Sequence, residues 1–139
     1  MLNEARFIAP NATLTGNNLE IYGHCEKPRH LGTWIGYYVT ITAGSARVKI
    51  GPCVDVSSYA YISTHFTGKR ITEAGPKIVG PVEIGHHSYI GPYALIEANT
   101  NIGHHSIVAA YSRVRGEFPP YSFIAGDPAK LKRKLTREK

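Results

Sequence analysis

Seven histidines punctuate this 139-residue chain: His24, His30, His65, His86, His87, His104 and His105. Imidazole exchanges protons near neutral pH and is the commonest metal ligand, so each is a candidate for chemistry. Four of them come as pairs in a repeated pentapeptide, "IGHHS", at 84–88 and again eighteen residues later at 102–106. Paired imidazoles at a fixed interval suggest a metal site. The same interval also suggests a structural repeat, and the two readings separate once the elements that must carry the histidines are found.

Stepping by six from Ile78 gives Ile84, Ile90, Ile96, Ile102, Val108 and Val114, all branched aliphatics. Four residues after each stand mostly small side chains: Val82, Ser88, Ala94, Thr100, Ser106, Ser112 and Phe118. Ile50, Val56 and Ile62 follow the same rule. A helix needs apolar positions near every 3.6 residues and a long strand every second one, and strict sixes satisfy neither. Short strands separated by turns do satisfy them. Three such units close a triangular coil of eighteen residues, and coils stack at strand spacing, about 4.8 Å. The aliphatic fills the prism, the small residue fits the corner and the pair between them makes the turn. Eighteen is therefore one coil. His86 lies under His104, and His87 under His105, as a stacked, solvent-facing turn ladder.

The organisation expected is one domain over 1–139. Residues 1–49 form irregular early coils with a loop around 27–32. Residues 50–118 form regular coils interrupted by a protruding loop at 63–77, and 119–139 form a C-terminal extension. "FPP" ends the coils, because proline cannot donate to the ladder. "AKLKRKLTREK" then reads as a short helix with Leu131 and Leu135 on one face.

Formal net charge is +6, and residues 127–139 carry six basic and two acidic side chains of the total. That concentration suits local binding of an anionic group better than a nucleic-acid-coating surface, and no nucleic-acid-reading motif accompanies it. Two cysteines, Cys25 and Cys53, without CxxC spacing read as reduced thiols. No secretory h-region and no apolar run long enough to span a bilayer is present, so a cytoplasmic protein is expected.

Three segments resemble the hexapeptide-repeat acyltransferases, in the branch of the maltose and galactoside O-acetyltransferases. They are "STH" with the re-entry "VGPVEIGHHSYIG", "IVAAYSRV", and "EFPPYSFIAGDPAKLKRK". The resemblance spans Ile50 to about Arg133. It implies an all-β, left-handed parallel β-helix, a homotrimer with active sites between subunits, and acetyl-CoA as acyl donor with no metal. It also implies direct attack on the acetyl carbonyl, without an acyl-enzyme.

Carried over position by position, the resemblance makes His65 the general base. Tyr89 and Pro92 stand near the pantetheine arm, and Ala109 and Ala110 are small enough to let the donor approach the backbone. Arg113 and Arg115 fall toward the adenine end, where the family's "TK" has become Arg115-Gly116. Lys130 and Arg133 fall near the 3′-phosphate. On the acceptor side the pattern weakens, leaving Tyr37, Tyr59 and Tyr61 as candidate contacts. Asp55 and Glu97 could supply a carboxylate, although turn acids in register are more often simply solvated. The acceptor expected is a saccharide hydroxyl, with an aminosugar or other small amine as the alternative. A silent hexapeptide scaffold is a further alternative. A γ-carbonic-anhydrase-like metalloenzyme needs two histidines five residues apart, and no pair here has that spacing.

Overall fold

The computed structural model describes residues 6–23, 32–66 and 77–136. Numbered in chain order, its strands stack into three faces. Face one carries β1 (Arg6–Ile8), β4 (Thr33–Ile35), β7 (Asp55–Val56), β12 (Tyr89–Ile90), β14 (Ile107–Val108) and β16 (Ser122–Gly126), each parallel to the next. Face two carries β2 (Thr13–Thr15), β5 (Thr40–Thr42) and β8 (Tyr61–Ser63), followed by the first residues of β13 (Leu95–Ile102) and of β15 (Arg113–Phe118). Face three carries β3 (Leu19–Ile21), β6 (Val48–Ile50) and β11 (Val82–Ile84), then the far ends of β13 and β15. β13 and β15 bend around a corner, which is why both serve two faces.

The period of six fills the prism. Ile50, Val56, Ile62, Ile84, Ile90, Ile96, Ile102, Val108 and Val114 are all buried to 1% exposure or less. The corner set Ser88, Thr100, Ser106 and Ser112 is buried as well. A buried hydroxyl without a partner is costly, and the coils supply partners: Ser88 Oγ accepts from Ser106 N, and Ser106 Oγ accepts from Ser122 N, both at 3.1 Å. Rungs approach closely where glycine stands. A Cβ at Gly85 would lie 2.5 Å from His104 N.

Corners need a residue in the left-handed region, and here bulky side chains occupy it. Tyr38, Tyr59, Tyr93 and Tyr111 have φ between 59° and 67° at one corner, and His87 and His105 have φ of 58° at another. The tyrosine rings form a column with centroids 5.1, 4.9 and 5.0 Å apart.

Several expectations need correction. Ile78 is not a core position: β10 (Ile78–Val79) pairs antiparallel with β9 (His65–Phe66), closing the foot of the loop, and the coil resumes at β11. The prolines do not end the coils, because β16 adds one more parallel rung on β14. The expected C-terminal helix is instead a strand, β17 (Ala129–Lys134), antiparallel to β16 after the Asp127–Pro128 turn. A helix that short is marginal without a face to bury, whereas β16 offers a free row of backbone donors and acceptors. Cys53 is disulfide-bonded, not a reduced thiol. Most of the loops expected at 27–32 and at 63–77 lies outside the described residues. Among the described residues no helix is long and apolar enough to cross a membrane.

Candidate active site

His65 stands where the chain leaves the coil. β8 runs along face two, Ser63 Oγ donates to His65 O at 3.0 Å, and the two-residue β9 lifts the imidazole beyond the sheet. β10 returns beside it, with Val79 opposite His65 and Ile78 opposite Phe66. Between this hairpin foot and face two lies a hollow of about 520 Å³. It is lined by Tyr61, Ser63, His65, Glu97, Arg113 and Arg115, together with the apolar Phe66, Ile78, Leu95 and Ala98.

The register explains which side chains meet there. Tyr61, Leu95 and Arg113 form one column of face two. Glu97 and Arg115 are eighteen residues apart, one full coil. Glu97 Oε1 lies 3.2 Å from Arg113 Nη1 and 3.8 Å from Arg115 Nε. Arg113 Nε also donates to Asp127 Oδ1 at 2.6 Å. Asp127 first, then Glu97, push the Arg113 guanidinium further above its ordinary value. Arg113 is thus held between two carboxylates, while Arg115, at 3.8 Å from Glu97, is the looser guanidinium.

The hollow brings together four of the candidates, His65, Tyr61, Arg113 and Arg115. The others stand elsewhere. Tyr37 packs its ring against Phe7 and Trp34, and Tyr59 is inside the tyrosine column. Pro92, Ala109 and Ala110 share the tyrosine corner, where Tyr111 N donates to Pro92 O at 3.1 Å and a Cβ on Gly91 would meet Ala110 N. Tyr89 is exposed on face one, between Asp55 and Ile107. Lys130 and Arg133 are exposed on β17, with the Arg133 guanidinium 5.2 Å from the Phe123 ring centre. Ser63 and Phe66, which the sequence did not single out, also line the hollow, as does Glu97, which it ranked as more often solvated than functional. Glu97 is no solvated turn acid, and adding eighteen to 97 reaches Arg115 directly.

The corner histidines do stack. His86 lies over His104 at 4.7 Å and His87 over His105 at 5.0 Å, each pair of rings within 5° of parallel.

Residues 77–116 match the family model described as bacterial transferase hexapeptide (six repeats), whose fold is the left-handed parallel β-helix. No curated protein matches the sequence. Among solved structures, a hexapeptide-repeat-containing acetyltransferase from Vibrio cholerae is 26% identical, with TM-score 0.74, and the match covers 96% of this chain and 72% of that one. A structure of it complexed with acetyl-CoA gives 27% identity and TM-score 0.76, covering 95% and 69%. A galactoside acetyltransferase in complex with coenzyme A shares the fold at 21% identity and TM-score 0.72, covering 95% of this chain and 66% of its own. The N-acyltransferase AntD from Bacillus cereus shares it at 19% identity and TM-score 0.72, covering 96% and 82%.

Proposed function

We propose that this hexapeptide-repeat acyltransferase moves an acetyl group from acetyl-CoA to a saccharide hydroxyl, with His65 as the general base. The observation that carries the reading is His65 at the foot of the loop, facing a hollow floored by Tyr61, Glu97, Arg113 and Arg115. The neutral imidazole takes the proton of the acceptor hydroxyl as its oxygen attacks the thioester carbonyl. The tetrahedral intermediate expels the thiolate of CoA, which takes that proton back from the imidazolium. Acetylated acceptor and free thiol leave, and the histidine is neutral again. Arg115, the looser guanidinium, binds a phosphate of the donor; a planar fork suits that group.

The acceptor is sugar-sized. Tyr61 offers a ring face for stacking, and the Glu97 carboxylate accepts from hydroxyls. An amine would be served by the same base, and the fold shared with an N-acyltransferase keeps that alternative in view. The active form is a homotrimer, in which neighbouring prisms complete the donor groove along Tyr89, Pro92, Ala109 and Ala110, with Lys130 and Arg133 toward the 3′-phosphate.

Thiol release from acetyl-CoA, measured against sugars, aminosugars and nucleotide sugars, tests the reading. Release that depends on a sugar hydroxyl is expected. No release with any acceptor, and no acetyl-CoA binding at millimolar donor, would return the chain to the class of silent scaffolds.

A further inference from the structure

The histidine corner is built like a chelator. Within the first pair, His86 Nδ1 and His87 Nδ1 face each other at 2.9 Å, and the two rings are nearly perpendicular, at 87°. The second pair repeats this geometry, with His104 Nδ1 and His105 Nδ1 at 2.9 Å and rings at 83°. Between rungs the like rings lie flat on one another. Ring nitrogens of His86, His104 and His105 all lie within 4.8 Å of one another. Tyr121 stacks on His105 at 5.0 Å and closes one end.

Two facing nitrogens at 2.9 Å are either a hydrogen bond sharing one proton or the two arms of a ligand set. With metal–nitrogen bonds of about 2.0–2.1 Å, that bite subtends roughly 90° at a shared ion. Such an angle is the cis angle of square-planar and octahedral sites.

We propose that this corner binds one divalent late first-row metal ion, Ni²⁺ or Cu²⁺, between His104, His105 and His86. The facing pair supplies two ligands, and His86 closes from the rung below by rotating its side chain toward the ion. All three imidazoles bind as neutral ligands. The proton on a facing Nδ1 moves to the Nε2 of the same ring, so no external base is needed. The ion is structural: it pins consecutive rungs, and acyl transfer at the His65 hollow needs no metal. It would work as a staple, with waters completing its shell.

Untagged protein stripped with EDTA is titrated calorimetrically with NiCl₂ and with CuCl₂. One ion per chain is expected, with a rise in Tm and, for Cu²⁺, an electron-paramagnetic spectrum showing coupling to imidazole nitrogens. His86→Asn with His104→Asn should weaken binding at least tenfold, while His65→Asn leaves it unchanged. Asparagine is tolerated in the left-handed region, so His105→Asn serves as a second variant that keeps the turn. Its metal-free Tm should match or exceed that of the parent while its metal affinity falls. No binding up to millimolar metal, full affinity in the double variant, or loss of binding in His65→Asn would each overturn the proposal.

Discussion

His104 has a ring on either side. His86 stacks below it at 4.7 Å, and Tyr121 meets its edge at 5.4 Å. Its backbone belongs to a rung whose neighbours repeat the same turn. His65 has neither. It stands on a two-residue strand paired antiparallel with β10, outside the parallel ladder, above a hollow instead of between rungs. The contrast shows how a solenoid divides its work. Positions inside the repeat are over-determined by copies above and below, so they hold geometry. A residue on an interruption is set by local turns, and it is free to face a substrate.

The largest effect that sharpens this contrast lies on the loop side. His65→Asn should lower kcat by about 10²–10⁴ while the Tm and the Kd for acetyl-CoA stay near the parent values. Activity within a few-fold of the parent would remove the distinction between the two histidines. A core rung should behave the opposite way. Ile96, fully buried beneath the hollow's floor, should cost about 2–5 kcal/mol on truncation to Ala. Chemical denaturation reads this as a shifted midpoint, and a loss under about 1 kcal/mol would mean the prism relaxes around the cavity. Arg115→Ala should raise KM for acetyl-CoA roughly tenfold, as the loss of one charge-assisted hydrogen bond predicts, with kcat little changed. An effect on kcat alone would move Arg115 from the donor to the reacting atoms.

The smallest effect is the pH response of the ladder. His86 is held below the ordinary imidazole value by burial, then by His104. The unfolded chain therefore takes up a proton first as acid is added. The stability contributed by the neutral ring is full above about pH 6.5 and is lost as pH falls through the lower folded value. Tm measured across that window should fall less steeply for His86→Asn than for the parent. Parallel curves would mean the ring is not coupled to folding.

Much of this was legible because one rule, an aliphatic every sixth residue, is enforced by a core only one side chain wide. The same rule located His65 by its absence. The hollow itself was harder to read, since it depends on pairs across rungs. Glu97 looked like a lone turn acid until stacking set Arg115 upon it and turned Arg113 toward both Glu97 and Asp127. Leu131 and Leu135 misled for a related reason. Their spacing fits a helix, but the open row of β16 was invisible in a linear reading. Cys53, likewise, gave no spacing signal for its disulfide.

β17 has a consequence beyond its own residues. A prism of stacked rungs is a fibre in miniature, and face one would end in an unpaired strand able to seed addition of another chain. β17 runs antiparallel across that strand and breaks the growth direction. It then offers Lys130, Lys132, Arg133 and Lys134 as the new border. Lysine-rich borders repel their own kind. The cationic tail that composition assigns to ligand binding is thereby also the molecule's guard against self-propagating assembly.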